Sequence, residues 1–333
     1  MTSLDAMPYE KTVLVNDPHA WDGVRQALQS MQARQPERLL YVPNEGNAGD
    51  ALIAAGTWQF FDDLGLKPRY ARVREIRRGD ALVYAGGGNL VPEYESASRF
   101  LERCLEVGVS SVIVLPHTIR GHEALLKRLD ERFTLVCRDQ ASIARVQATG
   151  TGAQVLYAPD MALYIDVPRL FERCASYRGP ALWARMAHHD RLVPYLRWRL
   201  ALALRQPPEH LHLDVIRVDA EAIAALPGDK RWDMSNLYGS KFRLREESDL
   251  VSRDFLRFFG QLVAVRTNRL HAGVAAALMG CEVTYLDNSY GKIGAVYDAW
   301  MSHLPQVNFL HTPPPAGLGP AGVERPLAQG ATA

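Results

Sequence analysis

The chain has 333 residues, enough for two domains of ordinary size. With 47% hydrophobic residues, 23% charged residues and a net charge of +1, it is neither a disordered polyelectrolyte nor a strongly basic nucleic-acid binder, and no nucleic-acid partner is expected. No run of about 18 apolar residues occurs, the start MTSLDAMPYEKTVLV lacks the form of a signal peptide, and Cys104, Cys137, Cys174 and Cys281 stand far apart without metal-ligand spacing. The sequence therefore predicts a cytoplasmic protein with buried thiols and no metal site.

From about residue 38, short apolar, β-branched runs alternate with helical patterns, as in a parallel α/β fold. The first series of predicted strands is RLLYV (38–42), ALVYA (81–85), SVIVL (111–115), TLVCR (134–138) and QVLYA (154–158). The segment 166–180 carries a proline near each end and marks a boundary. A second series follows: ALWAR (181–185), LHLDVIRV (211–218), QLVAVR (261–266) and EVTYLD (282–287). Between its first two members lies RLVPYLRWRLALALR (191–205), which sets Arg191, Arg197, Arg199 and Arg205 among leucines, Tyr195 and Trp198. That mixture suits the headgroup interface of an anionic membrane, and it equally suits a buried helix with snorkelling arginines. The expected architecture is two Rossmann-like, doubly wound parallel-sheet domains facing a cleft, residues 1–168 and 169–311. A Pro-, Gly- and Ala-rich tail at 312–333 has little to bury.

In open α/β sheets ligands bind at the carboxyl ends of the strands, so the residues after each strand carry the functional reading. After the first strand, Gly46, Asn47, Gly49 and Asp50 form a tight turn into a helix at about 51–64, with Asp50 as its N-cap. The plain reading is a capped βα turn; the functional one offers backbone N–H groups to a substrate hydroxyl or anion. The next strand ends in Gly86, Gly87, Gly88 and Asn89, a triple glycine that lets a backbone cradle an anion while Asn89 orients a sugar hydroxyl. It is not the GxGxxG dinucleotide fingerprint. His117, Thr118 and Arg120 follow the third strand and Asp160 the fifth. Alone, His117 reads first as a structural histidine.

The second half carries more charge. Arg185, His188, His189 and Asp190 follow one run, and Arg266, Thr267, Arg269 and His271 follow another. Asp287, Asn288, Ser289, Tyr290 and Lys292 open a later helix. A surface ion pair for Arg269 and a solvated helix face for Lys292 are the plainer readings. Planar arginine forks gathered at a helix N-terminus instead make an anion site.

Five of these pieces, GNAGD (46–50), AGGGN (85–89), APD (158–160), RLH (269–271) and NSYGKI (288–293), give the chain a resemblance to the polysaccharide pyruvyl transferases over about residues 38–300. The resemblance implies a GT-B-like fold and transfer of a pyruvyl group from phosphoenolpyruvate to a sugar as a cyclic ketal. It implies that Arg269, Leu270 and His271 contact the donor and that Arg185 is a further donor-binding arginine. In two places the chain departs from the family pattern: Asp190 stands behind two histidines, and Ala51 occupies a position often acidic.

Phosphoenolpyruvate carries a carboxylate and a phosphate on three carbons, so it calls for arginines and one general acid and for no metal or cofactor. His271 is the candidate acid and Asp50 the candidate for hydroxyl activation. Arg185, Arg269, Leu270, Asn288, Ser289, Tyr290 and Lys292 form the expected donor side, and Asn47, Gly87, Gly88, Asn89 and His117 the acceptor side. The expected acceptor is a lipid-linked oligosaccharide, the repeat unit of a bacterial exopolysaccharide or capsule, met at the inner face of the membrane. Two other readings stay open: a GT-B nucleotide-sugar glycosyltransferase, because fold alone does not choose the donor, and a non-catalytic sugar-binding protein of an envelope-polysaccharide complex.

Overall fold

A computed structural model describes residues 13–34, 36–177, 179–205, 212–217, 232–242, 244–287 and 291–310. It is an α/β protein with two parallel sheets. The chain enters through helix α1 (Asp22–Ala33) and runs β1 (Leu39–Val42), β2 (Glu45–Gly46), α2 (Ala48–Asp63), β3 (Arg69–Tyr70), β4 (Ala81–Tyr84) and β5 (Gly87–Leu90). It continues through α3 (Ser96–Val107), β6 (Ser111–Ile119), α4 (Glu123–Leu126), β7 (Phe133–Cys137), α5 (Gln140–Ala148) and β8 (Gln154–Tyr157). The sheet order is β3-β1-β4-β6-β7-β8, with β5 beside β6. Helices cover both faces, so β4, β6 and β7 are buried throughout and each carries a continuous apolar stretch.

Three helices, α6 (Val167–Ser176), α7 (Pro180–His188) and α8 (Leu192–Leu204), lead to the second sheet. That sheet follows as β9 (His212–Val215), β10 (Ser240–Lys241), α9 (Arg245–Phe259), β11 (Ala264–Thr267), α10 (Leu270–Leu278), β12 (Glu282–Leu286), α11 (Lys292–Trp300) and β13 (Val307–Leu310). Strands β13-β12-β11-β9 form the sheet, and β10 pairs antiparallel with β2, tying the two halves together.

The structure departs from the predicted strands in three places. The run ALWAR is not a strand but lies within α7, whose Pro180 occupies the first helical turn after Gly179 at φ 96°. Proline there loses no hydrogen bond, since a first-turn N–H has no intrahelical partner. The fourth strand of the second sheet is instead β13, beyond the last predicted run. Strand β6 also runs four residues past its predicted end: its register against β7 shifts between Val114 and His117, across Pro116, and pairing resumes at His117 opposite Cys137.

The expected division between residues 168 and 169 falls in the first turn of α6. The two sheets share one hydrophobic core. Almost every residue of α2 from Ala48 to Phe61 is buried, and the helix packs against both the turn Met161–Tyr164 and α9. A second core fills the other face of the first sheet. All four cysteines are buried free thiols, and burial pushes Cys137 up to about 12. No helix among the described residues is long and apolar enough to cross a membrane. The expected tail at 312–333 lies outside the described residues.

Candidate active site

The carboxyl ends of both sheets and the start of α2 enclose a cavity of about 180 Å³. On the first-sheet side, the α2 turn is a complete capping box. Asn47, not Asp50, is the N-cap: its Oδ1 accepts from the Gly49 N–H at 2.8 Å, while Asp50 Oδ2 accepts from the Asn47 N–H at 2.8 Å. The predicted cap is thus displaced by three residues, because the helix starts at Ala48 rather than at about 51. Asp50 still lines the cavity, and burial pushes its carboxyl above the ordinary carboxylate range, against the pull of His271 and Lys292. Gly49 faces His271 directly. A Cβ there would lie 2.8 Å from His271 Cβ and 2.9 Å from Nδ1, so the second glycine of the motif clears space for the histidine.

Gly88 plays the same part at β5, where a Cβ would come within 2.9 Å of Arg138 Nη2 and 3.0 Å of Lys292 Nζ. Asn89 lines the cavity, and its Nδ2 lies within hydrogen-bond distance of Asn44 Oδ1 at 3.1 Å, Tyr84 Oη at 3.2 Å and Ser96 Oγ at 2.8 Å. His117 Nε2 lies 2.7 Å from Asn89 Oδ1. The histidine itself is fully buried behind Asn89, and burial, aided by the Arg138 charge, pushes it down to about 3. His117 therefore does not reach the cavity, and a neutral ring there positions Asn89. Gly87, at φ 144°, packs beneath against the Asn44 side chain.

The second sheet delivers the opposing wall. Arg269 is the N-cap residue of α10, with Leu270 and His271 in its first turn, and all three line the cavity. Arg269 is buried, not a cleft-surface cation: Nε pairs with Asp233 Oδ1 and Nη2 lies 2.6 Å from Asp233 Oδ2. His271 Nε2 sits 3.4 Å from Asp160 Oδ2, the oxygen that also pairs with Arg138. Asp160 Oδ1 accepts from the Ala162 N–H at 2.8 Å. Burial alone would raise the Asp160 carboxyl, but His271, Arg138 and this N–H hold it well below the usual carboxylate range. Lys292, at the start of α11, and Arg217, just past β9, complete the cationic lining, with Ser235 beside them.

The structure thus gathers Asn47, Asp50, Gly88, Asn89, Arg269, Leu270, His271 and Lys292 around one cavity. It does not bring Arg185 there. That residue sits on exposed α7, paired with Glu246, because the run carrying it is a helix and has no carboxyl strand end. Arg266 likewise points away, its Nε 2.9 Å from Asp214 Oδ1 at an exposed position. The expected donor residues Asn288, Ser289 and Tyr290 lie outside the described residues.

Arg138, Arg217, Ser235, Tyr94 and Ser96 line the cavity and were not among the predicted site residues. Arg138 had a signal: it ends the apolar run TLVCR, where a charge follows a buried strand. The Arg217 signal was similar, at the end of LHLDVIRV. Among the described residues, four cations and a histidine line the cavity against one lining carboxylate, an arrangement suited to an anion.

The chain matches the family model described as "Polysaccharide pyruvyl transferase" over residues 47–290. It is similar to a Bacillus subtilis (strain 168) protein provisionally named pyruvyl transferase EpsO, at 26% identity over 89% of this chain and 96% of the relative. Pyruvyl transferase 1 of Schizosaccharomyces pombe (strain 972 / ATCC 24843) is 22% identical over 79% of this chain and 69% of its own length. A crystal structure of an uncharacterized Klebsiella pneumoniae subsp. pneumoniae NTUH-K2044 protein superimposes with a TM-score of 0.68 at 24% identity, covering 89% of this chain and all of that one. Its likeness supports the GT-B-like arrangement of the two sheets. With the family match spanning most of the chain, this protein belongs to the polysaccharide pyruvyl transferase family and is a transferase.

Proposed function

We propose that the cavity binds phosphoenolpyruvate and transfers its pyruvyl group to two hydroxyls of a sugar in an exopolysaccharide or capsule repeat unit, releasing phosphate. The observation that carries this reading is the convergence of Arg138, Arg217, Arg269, Lys292 and His271 on one small cavity. That charge matches a small donor carrying both a carboxylate and a phosphate.

In the proposed sequence His271 gives a proton to the methylene carbon of the donor, leaving the central carbon electrophilic. A sugar hydroxyl oxygen bonds to that carbon as Asp50 takes its proton, and burial makes Asp50 a stronger base than an ordinary carboxylate. The carbon–oxygen bond to phosphate then breaks, the second hydroxyl adds and its proton leaves with the phosphate. The cations hold the donor carboxylate and the departing phosphate. Asp160 holds His271 Nε2 while Gly49 packs against the other edge of the ring, which fixes its orientation at the cavity. Asn89 and Tyr94 belong to the acceptor side, Tyr94 as a partly exposed ring at the cavity wall.

Thermal unfolding with candidate donors tests the reading. Phosphoenolpyruvate should raise the melting temperature in a concentration-dependent way. Stabilisation by a nucleotide sugar with no response to phosphoenolpyruvate would transfer the case to the glycosyltransferase reading.

A further inference from the structure

The outer face of α8 has no role in the cavity, yet its composition is unusual for a surface helix. Val193, Leu196, Leu200 and Leu204 are 58%, 51%, 59% and 75% exposed. Among the described residues the other exposed large hydrophobic side chains are Val13, Tyr94, Val263 and Leu310, scattered along the chain. At about 100° per residue the four on α8 fall in one stripe. The helix is not loosely attached: its opposite face buries Tyr195 and Trp198, with Tyr195 Oη 3.0 Å from Asp254 Oδ2 and Trp198 packed edge-on to Tyr238.

Charge brackets the stripe. By the same helical geometry, Arg197 and Arg199 fall on its two flanks, Arg199 lying 3.6 Å from Asp254 at its inner edge. The segment 191–205 holds four arginines and no acidic residue. We infer that this face of α8 seats the protein on an anionic lipid surface, with Val193, Leu196, Leu200 and Leu204 entering the headgroup–acyl boundary and Arg197 and Arg199 at the phosphates. A contiguous exposed apolar stripe signals an interaction site, and its basic rim selects the partner. A second copy of the chain docked by a twofold axis would set the same arginines against each other, so charge favours lipid over self-association.

The full chain should sediment with vesicles of phosphatidylglycerol and phosphatidylcholine, weaken as salt is raised, and bind pure phosphatidylcholine poorly. The exposed double substitution Leu196→Glu/Leu200→Glu should weaken anionic-vesicle binding by about tenfold or more, with the melting temperature of the free protein unchanged. Arg197→Gln should give a smaller loss that disappears at high salt. The inference fails if the wild-type chain stays in solution with anionic vesicles, or if the double variant binds them as well as the parent. It fails equally if light scattering shows a dimer that Leu196→Glu/Leu200→Glu converts to monomer, since a second copy would then own the face.

Discussion

Arg269 and Asp160 show how single residues set what the site can do. Asp233 occupies one edge of the Arg269 fork, so the arginine is both oriented and partly neutralised before any ligand arrives. Arg269→Ala would strand a buried carboxylate and cost about 3–5 kcal/mol, which makes Lys the informative replacement. Arg269→Lys keeps the charge but loses the planar fork; half-saturation by phosphoenolpyruvate should rise about tenfold, a change of about 1.4 kcal/mol. An unchanged value in a folded Arg269→Lys protein would remove the residue from the donor site. Asp160→Asn should instead lower turnover by about tenfold or more, because His271 loses the carboxylate that holds its ring in place. Steady-state kinetics should show phosphoenolpyruvate half-saturation within about twofold of the parent. A change confined to half-saturation would make Asp160 a binding residue.

At the scale of elements, the motif RLH owes its position to small-residue packing beneath it. Tyr285 Oη donates to the Leu270 carbonyl at 2.9 Å, and Gly273 lies flat against the same ring, where a Cβ would overlap it. Gly273→Ala overpacks this contact and should cost about 1–3 kcal/mol, read as a lower denaturant midpoint. A neutral result would mean that the ring can move without disturbing the start of α10. The first sheet was legible in the sequence because its central strands are buried on both faces and read as apolar runs flanked by turn residues. The helix α7 was not, since a four-residue apolar run cannot by itself be told from a buried helical turn; the Gly-Pro pair at 179–180 was the better guide. The cavity's motif residues were legible because each follows one of those apolar runs in the sequence. Asp233 was illegible because its partnership with Arg269 spans 36 residues, a distance no local pattern encodes.

Across the whole molecule, α2 acts as a shared wedge. Its buried face joins the two sheets' cores, its first turn forms one wall of the cavity, and Asp62 near its far end pairs with Arg173 at 3.0 Å and with Arg245. Trp300 Nε1 donates to the Arg138 carbonyl at 2.8 Å, so the end of α11 is fastened to the strand end that supplies a site cation. Buried His117 is held near 3 against an ordinary 6.5, so the unfolded chain binds the extra proton first as pH falls. The stabilisation is complete above about 6.5 and is lost progressively toward 3; between pH 7 and 5 it should account for up to about 2 kcal/mol. Denaturant midpoints should drop over that range, and the slope should flatten in His117→Gln.

The central claim is that one cavity both holds phosphoenolpyruvate and protonates it. The most direct test is calorimetric titration of His271→Asn with phosphoenolpyruvate, paired with phosphate release in the presence of a sugar acceptor. The account predicts binding close to the wild type and a turnover lower by about 10²–10⁴-fold. Turnover retained within about tenfold would contradict the general-acid role, and absence of phosphoenolpyruvate binding by the wild-type protein would contradict the donor assignment itself.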